Sequence, residues 1–207
     1  MITKDIYKLF DIPPNLQDHL IAVAKISNLI ATHWQDKNIH ISDLIKISLL
    51  HDLGNIVKFN FEKFPIDNID YWKQKQKEII EKYGDNDHDV TKKMLEEINI
   101  DIKLIQIILN KSFDNSINIS KSSDWMSKIL LYADLRVLPN GVGTLQQRLD
   151  DIKNRMDKYK NRPDLLDLFS ACFEIEKQIQ SKINLNVDTI NQELINNDHF
   201  DYLNFEI

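Results

Sequence analysis

Residues 47–55 read ISLLHDLGN, an apolar run that ends in a histidine beside an aspartate, with a glycine two residues later. Burial of a carboxylate next to an imidazole at the end of a hydrophobic helix costs free energy unless another group compensates. A metal ion compensates well, because neutral imidazole and ionised carboxylate are both good ligands. This stretch therefore predicts a metal site, provided that the rest of the chain supplies further ligands.

The chain has 207 residues, which suits one domain or one domain with an appendage. Its single cysteine, Cys172, excludes an intrachain disulfide and agrees with a reducing compartment. A formal net charge of −6 argues against an extended nucleic-acid surface, so a nucleotide would need a local basic pocket. No signal-peptide segment begins the chain, and no stretch reaches the roughly 18 apolar residues of a membrane span. We therefore expect a cytoplasmic protein without membrane contacts.

Helical periodicity runs through nearly the whole chain, and glycine occurs only four times. These features predict an all-α protein. The expected helices cover residues 14–34, 42–51, 71–83, 90–98, 102–109, 124–137, 144–152, 163–183 and 187–195. Ser42 or Asp43 is expected to cap the second helix, and Thr144 with Gln147 forms a capping-box pattern. Residues 102–109 are apolar on nearly every side, which is typical of a central buried helix.

Two polar residues on other predicted helices also face inward. His19 follows Leu16 by three residues and precedes Val23 by four, so it shares the apolar stripe of its helix. Asp134 lies four residues after Leu130, on an apolar face where an unpaired charge is costly. Both residues are therefore candidates to join the histidine and aspartate of residues 47–55.

The candidate ligands are His19, His51, Asp52 and Asp134. Two imidazoles and two carboxylates suit one divalent ion, which could be Mn, Fe, Co, Ni, Zn or Mg. Four protein ligands on one side would leave positions for water and substrate, as a catalytic metal requires. The alternative is a separate structural role for each residue, such as a core histidine bonded to the backbone.

The order of these residues resembles the H…HD…D motif of the HD superfamily of metal-dependent phosphohydrolases, whose core is all-helical. His51 follows His19 by 32 residues, and Asp134 follows Asp52 by 82. The residues around Asp134, YADL at 132–135, are similar to the family's final ligand motif, and the resemblance covers residues 16–137. It implies an HD-like metal-binding core at 1–140, with additional C-terminal helices at 141–207 that pack on it. It also implies hydrolysis of a small phosphorylated molecule, with a nucleotide as the best candidate.

Departures from the family's subgroups limit what the resemblance implies about the substrate. The 5′-deoxynucleotidase-like members carry a glutamate three residues after the HD aspartate, and the guanosine-tetraphosphate hydrolases carry an adjacent Glu–Asp pair. Those positions are Asn55 and Ile56 here, so neither activity is carried over. Cyclic-di-GMP phosphodiesterases of the HD-GYP type hold a second metal with further histidines. His88 matches one of these, but residues 110–113 contain no histidine, which favours a single metal.

Three residues are candidates for the catalytic step. Asp52, besides binding the metal, would accept a hydrogen bond from the attacking water. His88 would protonate the leaving oxygen, because an imidazole with a reference pKa of about 6.5 suits a general acid. The alternative is an exposed histidine in a polar turn. Lys58 would neutralise a phosphate, or else it is a solvated lysine.

Substrate contacts are expected from Asn55, Lys58, Arg136 and Arg148. Arg136 faces away from Asp134 in a continuous helix, and it reaches the site only if that helix loosens before Pro139. Arg148 follows a glycine-containing loop and could meet a phosphate together with helix N-terminal amides. A surface arginine is the alternative for that position.

Two other functions stay open. A degenerate HD module would bind a nucleotide or a partner protein without catalysis, which the absence of acids at Asn55 and Ile56 favours. An oxygen-activating diiron enzyme of the HD fold would need ligands beyond the four candidates. The C-terminal third carries no inward-facing set of charges, so we assign it to packing or to contacts within a homo-oligomer.

Overall fold

The computed structural model of the protein describes residues 1–36, 38–63 and 66–207. The chain is all-α, as predicted, with one small hairpin as the only sheet in the described part. The α-helices are α1 (Thr3–Leu9), α2 (Pro14–Thr32), α3 (Ile41–Leu50), α4 (Ile69–Tyr83), α5 (Asp87–Glu97), α6 (Ile102–Asn110), α7 (Ser116–Lys121), α8 (Trp125–Arg136), α9 (Leu145–Arg155), α10 (Asp157–Lys160), α11 (Leu165–Gln180) and α12 (Gln192–Asn196). Four 3-10 helices cover Leu53–Lys58, Phe113–Asn115, Val187–Thr189 and Tyr202–Asn204. The strands β1 (Val137–Leu138) and β2 (Gly141–Val142) pair antiparallel.

One of the two predicted helix caps agrees with the structure and the other does not. Asp124 caps α8 by accepting hydrogen bonds from two backbone N–H groups, and Thr144 and Gln147 form the expected capping box of α9. The predicted cap of α3 is wrong, because the helix begins at Ile41, before both Ser42 and Asp43. Asp43 lies in the first turn instead, where a negative charge interacts favourably with the helix dipole.

Helix α6 is not the central buried helix that its composition indicates. It contacts α3, α5 and α8 with one face only. Ile105 and Ile108 are buried on that face, whereas Ile102 is 57% exposed. The helix therefore lies at the edge of the bundle, and its C-terminal end points towards the space between α3 and α8.

The helices that carry the four candidate ligands pack directly against one another. Helix α2 contacts α3 along its length, and α8 packs on both of them. A buried hydrogen bond of 2.9 Å between the hydroxyls of Ser48 and Ser27 joins α3 to α2. Leu20, Leu50 and Ala133 are fully buried at this three-helix junction. Apolar packing of these helices therefore determines how far apart the ligand side chains lie.

The C-terminal residues contribute to the same hydrophobic core. Leu149, Cys172 and Ile179 belong to the buried cluster that also contains residues of α2 and α3. Helix α11 packs against α7 and α8. The end of the chain returns to its beginning, where the Ile207 N–H donates to the Met1 carbonyl oxygen at 2.9 Å. Among the described residues, we find no helix that is both long and apolar enough to cross a bilayer.

Gly54 allows the segment after His51 to approach α5 closely. Its N–H donates to the Thr91 hydroxyl at 2.9 Å. A Cβ at this position would lie 2.6 Å from the Thr91 backbone nitrogen and would overlap the Asp87 carbonyl oxygen. Both of those atoms belong to the backbone and cannot rotate away. Glycine is therefore required where the 3-10 helix meets α5.

Replacement of this glycine should destabilise the fold. We expect Gly54→Ala to lower the free energy of unfolding by about 1–3 kcal/mol, because the added methyl group forces two backbones apart. Urea denaturation of the wild type and the variant measures this difference. Lys92→Ala, at an exposed position of the same helix α5, is the control and should change stability by less than about 0.5 kcal/mol. Equal effects of the two substitutions would contradict the packing argument.

Candidate metal centre

The four candidate ligands lie together in the structure. His19 comes from α2, His51 and Asp52 follow the last turn of α3, and Asp134 comes from α8. One ligand atom from each residue lies within 4.8 Å of the other three. The four residues therefore form a cluster that could hold a metal ion, as the sequence predicts.

The nitrogen and oxygen atoms of this cluster face a common centre. The Asp134 Oδ1 atom lies 3.2 Å from His19 Nε2 and 3.6 Å from His51 Nε2. The Asp52 Oδ2 atom lies 3.9 Å and 3.6 Å from the same two nitrogens. Each carboxylate thus offers one oxygen to both imidazoles.

The His51 ring is held in the tautomer that metal binding requires. Its Nδ1 lies 2.8 Å from the Ser48 carbonyl oxygen, which can only accept a hydrogen bond, so the proton is on Nδ1. The Nε2 lone pair then points towards the carboxylates. A backbone carbonyl that orients a ligating imidazole through its other nitrogen is a common feature of metal sites.

Two buried nitrogens of the cluster lack a hydrogen-bond partner. Neither His19 Nε2 nor His51 Nε2 makes a hydrogen bond with any described residue, although both atoms are shielded from solvent. A buried polar atom left unpaired costs about 1–3 kcal/mol. A divalent cation would accept both lone pairs together with the two carboxylate oxygens. The residues present therefore fit a metal with two nitrogen and two oxygen ligands.

Lys111 is part of this site, although the sequence analysis did not identify it. Its Nζ lies 2.8 Å from Asp134 Oδ2 and 3.4 Å from Asp52 Oδ1. The residue is only 7% exposed. It directly follows the apolar helix α6, in the segment 110–113 that contains no histidine. The signal that points to Lys111 is a lysine in the segment where a further histidine ligand would be expected.

The lysine keeps both carboxylates ionised. Burial alone would raise the pKa of Asp52, but the Lys111 ammonium and the facing imidazoles outweigh burial and lower the pKa to about 2. The same balance holds the pKa of Asp134 well below its ordinary range. Burial lowers the pKa of Lys111, but the two carboxylates outweigh it and raise that pKa above its ordinary value. All three groups are therefore charged at neutral pH.

Asn55 contacts a ligand rather than open solvent. Its side-chain Nδ2 donates a hydrogen bond to Asp52 Oδ2, the oxygen that faces the imidazoles. Asn55 therefore helps to fix the orientation of Asp52. It also lines the cleft beside the cluster, so its predicted contact with substrate stays a prediction.

His88 lines a small cleft beside the cluster, and Lys58 pairs with a residue of that cleft. His88 lines this cleft together with Asp87, Thr91 and Lys111, and it is exposed in the first turn of α5. The exposed Lys58 forms an ion pair with Asp87. The structure therefore brings His88 into the same cleft lining as His51 and Asp52 and leaves Lys58 outside it, and their catalytic and phosphate-binding roles stay predictions.

The two arginines do not reach the cluster. Arg136 is 1% exposed, and its guanidinium donates to the carbonyl oxygens of Val187 at 3.1 Å and Ile190 at 2.6 Å. Its predicted contact with substrate is therefore wrong, because its donors are used in joining α8 to the C-terminal segment. Arg148 pairs with Asp151 at 3.0 Å and is not among the residues that line the cleft.

Comparison with protein-family models, with curated proteins and with solved structures gave no match for this chain. The class of the site therefore rests on its geometry and on the order of its ligands along the sequence.

Loss of one imidazole should abolish stable metal binding. Protein purified without chelator should contain one equivalent of a divalent metal, measured by inductively coupled plasma mass spectrometry. His51→Ala should weaken metal affinity by more than about 100-fold, the upper end of what loss of a supporting contact costs. His33→Ala is the matched control, because His33 bonds the Leu29 carbonyl oxygen and lies outside the cluster. Wild-type protein that stays metal-free after reconstitution would contradict the assignment.

The metal-free protein should lose stability in acid through Asp52. The pKa of this carboxyl is about 2 when folded against an ordinary 3.8, so the unfolded chain binds the proton first. The corresponding stability, on the order of 2 kcal/mol, is present above pH 4 and is lost as the pH falls towards 2.

Lys111→Met separates the contribution of Asp52 and Asp134 from that of the other carboxyls, because the ammonium is the largest cause that lowers the pKa of each of these two groups. In the presence of chelator, the free energy of unfolding should fall less steeply between about pH 4 and 2 in this variant than in the wild type. Urea denaturation at a series of pH values measures both slopes. Parallel slopes would show that Lys111 does not lower the pKa of Asp52.

Proposed function

We propose that this protein is a metal-dependent phosphohydrolase of the HD type that acts on a small phosphorylated molecule, with a nucleotide as the best candidate. The observation that carries the proposal is the pair of buried, unpaired Nε2 atoms of His19 and His51, which face one oxygen each of Asp52 and Asp134. The helical bundle and the order of the four ligands support the likeness to the HD superfamily. A nucleotide is preferred because of that likeness alone.

The charge balance of the cluster suits a phosphorylated substrate. Two ionised carboxylates and the Lys111 ammonium leave one negative charge. A divalent cation bound by His19, His51, Asp52 and Asp134 would reverse this to one positive charge, and it would lower the pKa of a bound water and polarise a phosphoryl oxygen. A site with net positive charge in a partly buried cleft attracts a phosphate group.

The residues around the ligands have separate roles in this proposal. Asn55 orients Asp52 through its hydrogen bond, and Asp52 accepts a hydrogen bond from the attacking water. His88, in the lining of the cleft, donates a proton to the leaving oxygen. Lys58 exchanges its ion pair with Asp87 for a contact with the phosphate, which its 57% exposed side chain permits.

One observation favours a second candidate function, binding of a nucleotide or a partner protein without catalysis. The positions that hold acids in the better-defined HD subgroups are Asn55, whose amide is bonded to Asp52, and Ile56, which is fully buried. Neither side chain can act as a base towards water. A diiron oxygenase has less support, since the cluster in the described part of the chain has four ligand residues.

A substrate screen distinguishes the two candidate functions. Metal-free protein is reconstituted with Mg²⁺, Mn²⁺, Co²⁺, Ni²⁺ or Zn²⁺ and incubated with nucleotides and sugar phosphates. We expect phosphate release with at least one pair of metal and substrate, background rates for His51→Ala, and unchanged rates for His33→Ala. Circular dichroism confirms that each variant is folded. Ligand binding by calorimetry without phosphate release under any metal would support the binding module and contradict the hydrolase.

A further inference from the structure

The two carboxylates of the cluster each face in two directions. Asp52 Oδ2 and Asp134 Oδ1 point towards the imidazoles, as described above. Asp52 Oδ1 and Asp134 Oδ2 point the other way, towards the Lys111 ammonium. Each carboxylate therefore bridges two places for positive charge, and the chain itself fills one of them.

We propose that Lys111 acts as a built-in second cation: its ammonium takes the place between Asp52 and Asp134 that a second divalent ion would otherwise occupy, and so limits the centre to one metal. This inference rests on the proposed function, because it requires that the imidazole side of the cluster binds a metal. It assigns to Lys111 a positioning and specificity role rather than a direct part in the chemistry.

The Lys111 ammonium does not occupy the position between the two imidazoles and the two carboxylates where the metal would bind. If it did, its Nζ would form hydrogen bonds with the imidazole nitrogens. His19 Nε2 and His51 Nε2 instead make no hydrogen bond with any residue of the described ranges. The lysine uses the opposite oxygen of each carboxylate, so the imidazole side keeps its own four donor atoms.

Lys111 is held firmly enough to exclude a second ion. It ends α6, and its backbone N–H donates to the carbonyl oxygens of Ile107 at 3.1 Å and Ile108 at 3.2 Å. Its side chain is buried, so departure of the ammonium would leave two carboxylate oxygens without their positively charged partner. A second divalent ion at the same oxygens would also be repelled by the ammonium.

The arrangement leaves His88 available for another task. This histidine lines the cleft beside Lys111, so it could join a second metal if one were bound there. With an ammonium in that place, the His88 imidazole is not taken up as a metal ligand. The lysine thereby separates the metal ligands from the residue proposed to protonate the leaving group.

Titration with Mn²⁺ alone tests the inference without any substrate. The proteins compared are the wild type, Lys111→His, Lys111→Met, Lys111→Arg, Lys128→Met and His51→Ala. Calorimetry gives the stoichiometry, and electron paramagnetic resonance shows whether two Mn²⁺ ions share bridging ligands through an exchange-coupled signal. Lys128→Met is the matched control, because Lys128 is also buried but bonds Gln178, away from the cluster.

The wild type, Lys111→Arg and Lys128→Met should bind one Mn²⁺ with an uncoupled signal. Lys111→His, which replaces the ammonium with a ligand, and Lys111→Met, which only removes it, should bind a second Mn²⁺ at least tenfold more tightly than any second binding by the wild type. Lys111→His should also show the coupled signal. If one of these two variants is unstable, the other still tests the inference.

The possible failures have different meanings. Two coupled Mn²⁺ ions in the wild type, or an unchanged second binding step in both Lys111→His and Lys111→Met, would overturn the role of Lys111 and leave the metal site intact. Absence of binding in the wild type, as in His51→Ala, would overturn the proposed metal-dependent function itself.

Discussion

The structure depends on how two half-buried carboxylates are neutralised. Asp52 and Asp134 come from different helices and lie close together inside the bundle, where their mutual repulsion is weakly screened. The Lys111 ammonium balances one of these charges. On the other side, two imidazoles present unpaired nitrogens instead of a positive charge. A cation at the imidazole side completes the balance, and this is the physical basis for a metal centre.

The fold serves this arrangement by holding four elements in fixed positions. Helices α2, α3 and α8 pack on one another and place the four ligands, while Lys111 directly follows α6. Gly54 permits close contact with α5, so that Asn55 lies next to Asp52 and His88 lies at the cleft. The polar site is thus supported by apolar contacts and by a single glycine.

The ligands could be predicted from the sequence because their positions follow from helical periodicity. His19 and Asp134 share faces with apolar residues, and side chains on one face of a packed helix point to the core. Lys111 could not be found in this way, since it lies just beyond a helix end, where periodicity no longer indicates a direction. A lysine is also exposed in most proteins.

The predictions for Arg136 and for helix α6 were wrong for related reasons. Helical periodicity predicts which face of α8 carries Arg136. It does not predict that the carbonyl oxygens of Val187 and Ile190, more than 50 residues later, accept hydrogen bonds from its guanidinium. Helix α6 is apolar on most sides, yet composition alone does not tell how many neighbours cover a helix, and Ile102 is exposed. In each case the missing information was a long-range contact.

The most direct test of the account is anomalous diffraction from crystals grown with Mn²⁺. The account predicts one anomalous peak per chain, bounded by His19 Nε2, His51 Nε2, Asp52 Oδ2 and Asp134 Oδ1, with the Lys111 ammonium still on the opposite side of both carboxylates. Absence of a peak at these four atoms, with Mn²⁺ in excess, would contradict the metal centre on which the whole account depends.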